Sequence, residues 1–317
     1  MKFYQAVIGT ALGLAVTQLS FAQSQITFKS AKTSSSYYQM AVEIAQAVKK
    51  DTDSNLIVTV EESQGSVQNV METAFRGANY VFTTPPALVN LAQNGQAMFK
   101  NKSNPKFNDI RALFPIPSLA MHFVVSDKSG INQFSDIAGK KILLGKGTFG
   151  ANEGAKYIKL FGLDDKIDLA QVELSNAVPA LKNGQIDGFV TSGSFPAPNV
   201  IEASAGTKVK ILSFNDEQIA QTKRTKLTIP AGTYAGQNED ITTTSLPVVV
   251  YTSTAMDDET AYTLTKAFWD QKKQMSDSSA WWKGVTTDML SNIDGKIHPG
   301  AAKYYREMGV TLSEKQQ

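Results

Sequence analysis

The 317-residue chain contains no cysteine, which excludes a disulfide scaffold, a thiol nucleophile and a lipid-bearing cysteine near the start. Stability must come from packed cores, and the length is sufficient for two ordinary domains. Histidine occurs only at His122 and His298. No H-E-x-x-H, Cys/His cluster or G-x-S-x-G pattern accompanies them, so no motif for a metal or acyl-transfer centre is present. His122 lies in the alternating stretch Met121-His122-Phe123-Val124-Val125, which predicts an outward strand position. Arginine is limited to Arg76, Arg111, Arg224 and Arg306; none falls in a loop that reads as ligand-facing, so a bidentate arginine clamp is not expected. The formal net charge is only +2, and no basic run with interleaved aromatics occurs. Nucleic acid and anionic membrane surfaces are therefore not expected partners.

Long apolar runs are also missing. The one candidate, residues 6–19, follows the lone early charge Lys2 and precedes Ser20-Phe21-Ala22. It is shorter than the ~20 residues a bilayer requires and reads as a secretory signal peptide, residues 1–22, cut after Ala22. Loss of Lys2 lowers the formal charge from +2 to +1.

What the chain does have is a glycine loop after a short apolar strand, Lys141-Ile142-Leu143-Leu144. Gly145, Gly147 and Gly150 follow in a G-x-G-x-x-G spacing and lead into a helical stretch at 151–161. Glycines let a main chain approach a ligand, and free N–H groups at a helix start favour negative charge. The same spacing is the dinucleotide fingerprint, and Glu173 in Val172-Glu173-Leu174 stands near the position where that motif needs an acid. A nicotinamide enzyme and an anion-binding loop both fit at this point.

Element order separates them. Strand 26–28, a helix opening at Tyr37, strand 56–60, a helix at 66–76 with Val67, Val70, Met71 and Phe75 on its buried face, and strand 80–82 make one β-α-β-α-β unit. Strand 141–144, helix 151–161, strand 171–174, helix 177–183 and strand 186–190 make a second. Two such units place their ligand loops at the carboxyl ends of parallel strands, so an architectural repeat predicts two α/β lobes facing a cleft. Strands 121–126 and 246–251 sit where the chain crosses between them. The implied division is 23–121 plus 250–317 for lobe 1 and 122–249 for lobe 2. A long helix is expected at 257–274, with Trp281 and Trp282 packing in a following helix.

Several stretches in order now resemble one family: Ser34-Ser35-Ser36-Tyr37-Tyr38, Gly65-Ser66-Val67-Gln68-Asn69, Leu181-Lys182-Asn183-Gly184-Gln185-Ile186-Asp187, Phe195-Pro196-Ala197-Pro198, Ile229-Pro230-Ala231-Gly232-Thr233-Tyr234, and His298-Pro299-Gly300 followed by Tyr304-Tyr305-Arg306-Glu307. Together they are similar to the TAXI solute receptors of tripartite ATP-independent periplasmic (TRAP) transporters. The resemblance implies an α/β, two-lobed periplasmic-binding-protein (type II) fold and a monomer. It also implies a small organic anion or amino acid as cargo, a membrane permease as partner, and no catalysis or cofactor. Two departures bear on cargo. Similar receptors carry a glycine-rich run before the paired tyrosines, where this chain has Ala31-Lys32-Thr33-Ser34-Ser35. Their glycine loop typically runs from an early proline to Gly-Ser-Gly-Thr-Glu, where this chain has Lys146 and then Thr148-Phe149-Gly150-Ala151-Asn152.

The candidate ligand residues follow from the loops at the strand ends: Lys32, Ser34, Ser35, Ser36, Tyr37, Gly65, Ser66, Thr83 and Thr84 in lobe 1, and Lys146, Thr148, Phe149, Asn152, Ser192 and Ser194 in lobe 2. One carboxylate is expected over the helix start at 149–152 near Lys146, and the other end of the solute near Lys32 and the serines. Charge-assisted hydrogen bonds contribute about 1.5–3 kcal/mol each. The competing readings are plain: lysines on a solvated loop rim, serines that only cap a helix, threonines that only end a strand. A sensory adaptor and a periplasmic enzyme stay open beside the transport receptor.

Overall fold

A computed structural model describes residues 24–53, 55–170 and 172–317; the expected signal peptide, residues 1–22, lies outside them. The first unit is β1 (Ser24–Lys29), α1 (Ser36–Asp51), β2 (Leu56–Glu61), α2 (Ser66–Glu72) and β3 (Tyr80–Thr84), followed by α3 (Pro86–Gln93). α1 forms because Met40, Ala41, Ile44, Ala47 and Val48 repeat at helical spacing and are buried, while the Ser35 hydroxyl caps its start by accepting from Tyr37 N. β1 pairs in parallel with both β2 and β3.

β4 (Ile110–Ser126) leads to the second unit, β5 (Lys141–Leu143), α4 (Phe149–Leu160), β6 (Asp168–Ala170), α5 (Ala177–Lys182) and β7 (Gly188–Gly193). α6 (Pro198–Gly206), β8 (Val209–Ile211), α7 (Asp216–Thr222), β9 (Thr225–Ile229), β10 (Ile241–Ser253), α8 (Asp258–Met275) and α9 (Pro299–Glu307) complete the chain.

The strands run in the order β2-β1-β3-β10-β4-β7-β5-β6. β4 and β10 belong to both halves: the first part of β4 lies on β10, and from Ala120 onward it lies on β7. β10 in turn passes from β9 at Ile241 to β3 at Val249. These strands are far longer than the segments expected at 121–126 and 246–251, because each pairs in succession with strands from both halves of one continuous sheet. Their mutual register slips between Leu246 and Val248, where Pro247 and Pro117 cannot donate to the ladder.

Local expectations needed correction in five places. The helix expected at 66–76 ends at Glu72, and Phe75, expected on its buried face, is 71% exposed. The strand expected at 171–174 lies earlier, as β6, and Leu174–Asn176 is a single 3-10 turn. β3 and β7 run on to Thr84 and Gly193, so residues read as loop are strand. Trp281 and Trp282 sit in a 3-10 turn, Ala280–Gly284; they pack as expected, stacked with ring centroids 4.1 Å apart and both indoles donating to Glu43 Oε2. His122 is fully buried. Both faces of β4 are covered at that point, so alternation does not translate into exposure.

Candidate functional site

The carboxyl ends of β1, β3, β5 and β7 converge on a cavity of about 60 Å³ that opens to solvent. Its walls come from both units: Ser30 to Lys32, Ser34 to Tyr37, Gln64 to Ser66 and Thr83 on one side, and Thr148, Phe149, Thr191 to Gly193 and Asn199 on the other. Leu119 and Val248 of the crossing strands form its floor. This is the position at which open α/β sheets bind ligands.

The first wall is held by hydrogen bonds. Ser30 Oγ donates to Tyr37 O at 2.9 Å and lies 3.0 Å from Thr83 Oγ1; since its one proton is committed, Thr83 is the donor there. Asn69 Nδ2 donates to Ser30 O at 2.7 Å and to Thr83 O at 3.0 Å, tying the end of β1 to the end of β3. Ser63 Oγ donates to Ser30 O and accepts from Gly65 N. Behind them the buried Lys29 ammonium meets Glu72 at 2.7 Å, and Arg76 binds the same carboxylate. Burial opposes ionisation of Glu72, but hydrogen bonds from Lys29, Gln68 and Arg76 outweigh it and lower its pKa. Tyr37 spans to the crossing strand, its hydroxyl donating to Pro117 O at 3.0 Å, and burial raises its pKa so that it remains a neutral donor.

The second wall depends on close approach. Gly145 and Gly147 adopt left-handed φ of +82° and +78°, which turns the chain into α4. A Cβ at Gly150 would fall 2.6 Å from Ser192 Oγ, so only glycine lets α4 sit on β7. Thr148 caps α4, accepting from Ala151 N at 3.0 Å and donating to Gly145 O at 2.9 Å. Asn199 Nδ2 donates to Thr191 Oγ1 at 2.9 Å. Farther back, Tyr234 Oη accepts from Ala197 N and donates to His122 Nε2, both at 2.9 Å, while His122 Nδ1 donates to Ala120 O. Burial pushes the His122 pKa down to about 4, and the neutral imidazole props the Ala197 loop from behind. His298 is spent on the start of α9, where Nδ1 accepts from Gly300 N and Nε2 donates to Met256 O.

Most of the residues expected to face ligand are brought to this cavity. Ser34, Ser35, Ser36, Tyr37, Lys32, Gly65, Ser66 and Thr83 line it from one side, and Thr148, Phe149 and Ser192 from the other. Four are not. Lys146 and Asn152 are exposed and are not part of the wall. Thr84 is buried on the face of β3 opposite Thr83, because neighbouring strand residues point to opposite sides. Ser194 lies past the end of β7, buried off the wall. Lys32, on the rim, faces Glu62 at 3.7 Å. Ser30, Gln64, Thr191, Gly193, Ala197 and Asn199 are lining residues that the sequence reading passed over. Ser30 and Thr191 had a signal, since each adjoins an expected loop residue; Asn199 and the floor residues had none.

Two polar features stand out. Ser36 Oγ is buried with no hydrogen-bond partner, in a side chain only 6% exposed on the cavity wall. The starts of α1 and α4 approach that cavity from opposite lobes. Hydroxyls and helix N-termini of this kind suit a compact anion.

The sequence profile of the NMT1-like family matches residues 28–309. The chain belongs to the NMT1-like family. Among solved structures, this NMT1-like chain is similar to the periplasmic binding protein BugD (TM-score 0.54, 10% identity, covering 93% of this chain and 100% of that one). It is also similar to a protein described as a periplasmic transporter (TM-score 0.53, 11% identity, 90% and 93% covered). A third likeness is to the alkanesulfonate-binding protein SsuA from Xanthomonas axonopodis pv. citri bound to MOPS (TM-score 0.50, 14% identity, 85% and 83% covered). At these identities the likeness speaks to the fold, which is the two-lobed fold of periplasmic substrate-binding proteins. Among the described residues no helix is long and apolar enough to cross a membrane.

Proposed function

We propose that this NMT1-like chain is an extracytoplasmic solute receptor. It captures a small carboxylate between its lobes, either a dicarboxylate such as 2-oxoglutarate or an acidic amino acid such as glutamate, and hands it to a TRAP-type membrane permease. The observation that carries the reading is the unpartnered Ser36 hydroxyl on a cavity flanked by the starts of two helices from opposite lobes. A buried hydroxyl without a partner costs about 1–3 kcal/mol, a cost that a carboxylate oxygen would offset. The wall side chains that can titrate, Lys32 and Tyr37, suit binding better than proton transfer. Both histidines are committed elsewhere, so the chain is read as a binder and not an enzyme. Placement in the TAXI branch and in the periplasm rests on the motif resemblance and on the signal peptide read at 1–22. The lobes are taken as 23–121 plus 250–317 and 122–249. In this reading the cavity, about 60 Å³, enlarges when the lobes part and closes around the solute.

The test is titration calorimetry on the chain from Gln23, stripped of solute by refolding, against 2-oxoglutarate, succinate, glutamate, glutamine and NAD. Tight binding of one small acid, weakened about tenfold by Ser36→Ala with thermal stability retained, supports the receptor. Binding of NAD alone would sink it.

A further inference from the structure

The acidic residue singled out in the sequence as a possible ribose ligand has a different neighbour. Glu173 lies beyond β6 in the second lobe, and its side chain reaches Gln64 of the first. The Gln64 amide satisfies its surroundings in only one orientation: its oxygen accepts from Lys32 Nζ at 3.0 Å while its nitrogen donates to Glu173 Oε2 at 3.3 Å. An ammonium, an amide and a carboxylate thus run in series from Lys32 and Gln64, which line the cavity, to Glu173, whose neighbour Leu174 lines it from the other lobe. Within the first lobe, Lys32 also faces Glu62 at 3.7 Å, and Gln64 is itself fixed by its backbone N–H donating to Gln68 Oε1 at 2.8 Å.

A second contact crosses the same seam. A Cβ at Gly193 of the second lobe would fall 2.9 Å from Ser36 Oγ of the first. Glycine at the end of β7 therefore permits the lobes to come close enough for the Glu173 side chain to engage.

We propose that Glu173, bridged through Gln64 to Lys32, is a latch that draws the two lobes together across the cavity mouth. Its role in holding solute rests on the receptor reading, but the closure itself does not require that a solute be known. The latch differs from the Lys32–Glu62 pair in one respect that can be measured: Glu62 belongs to the same lobe as Lys32, so removing it leaves the interlobe path intact. A charge-assisted bridge with both ends partly solvated is expected to shift a lobe-closure equilibrium about tenfold.

The experiment uses the absence of native cysteine. Spin labels at Lys49→Cys and Lys159→Cys, both exposed at the far ends of α1 and α4, report lobe separation by pulsed dipolar spectroscopy on the refolded, solute-free chain. Wild type should show a dominant short distance. Glu173→Leu and Gln64→Leu, changes on opposite lobes, should each shift the population about tenfold toward a longer one, and Glu62→Gln should not. Circular dichroism confirms folding of each variant. An unchanged distribution in both leucine variants, or an equal shift in Glu62→Gln, overturns the latch. Adding the five solutes of the calorimetry panel separates the two ideas: if none binds, the receptor reading fails, while the latch still stands or falls on the label distances alone.

Discussion

The two walls of the cavity reach the same end by different physics. The first lobe positions its loops with directional side-chain bonds, chiefly Asn69 to the carbonyls of Ser30 and Thr83, backed by the Lys29–Glu72–Arg76 network. The second lobe relies on absent side chains, Gly150 against Ser192, and on a neutral buried histidine behind Tyr234. A polar wall fails when a partner is deleted; a close-packed wall fails when an atom is added.

The largest expected effect is in the first lobe. Asn69→Leu removes the side-chain donor that ties the carbonyls of Ser30 and Thr83 together, leaving Ser30 O only the Ser63 hydroxyl, and should lower stability by about 3 kcal/mol and abolish solute binding. Urea unfolding with parallel calorimetry measures both, and a loss confined to binding would show that the wall is held by something else.

pH separates the walls next. His122 has a folded pKa of about 4 against an ordinary value of 6.5. The unfolded chain therefore takes up its proton first, and the stability this group contributes is complete above pH 6.5 and is lost as pH falls toward 4. The loss is on the order of 3 kcal/mol. Glu72 is also depressed, from 4.5, so its contribution is present above that value and disappears only below it. Denaturation midpoints should decline between pH 6.5 and 4.5 in wild type and decline less steeply in His122→Gln, where His298, whose pKa burial also lowers, still contributes. A decline of equal slope in that variant would assign the titration to another group.

Addition of a single methyl group sharpens the contrast. Gly150→Ala pushes a carbon to 2.6 Å from Ser192 Oγ and should cost about 2 kcal/mol, whereas the same change at Gly130, with open space around it but a left-handed φ of +73°, should cost about 1 kcal/mol from backbone strain alone. Equal losses would mean that contact with Ser192 is unimportant. The smallest effect belongs to Lys146→Ala. Lys146 is exposed off the wall, so solute affinity should change less than about twofold, while Lys32→Ala on the rim should weaken a carboxylate more. A larger loss at Lys146 would require a rearrangement of the glycine loop on binding.

The strand-helix alternation of each lobe was legible because periodicity is a local property: Met40, Ile44 and Val48 can bury one face only in a helix. Loop positions at strand ends were legible for the same reason, and that brought Ser36, Thr83, Phe149 and Ser192 onto one short list. The orientation of those side chains was not. Thr83 faces the cavity and Thr84 does not, a choice set by register against β10. Lys146 and Lys32 read alike as loop lysines, yet only the latter reaches the rim, because the backbone N–H of Lys146 is pinned to Val172 O.

By itself the sequence determined the composition of each lobe, the order of its elements, the capped helix starts and the glycines that the turns demand, since these depend on neighbours within a few residues. Only the tertiary structure decided which hydroxyl on the cavity wall would lack a partner, that His122 would be buried behind Tyr234, and that Glu173 would face Gln64 instead of its own loop. Those outcomes depend on where two long strands cross from one half of the sheet to the other and how closely the lobes then meet, and residues more than a hundred positions apart carry no local signal of that meeting.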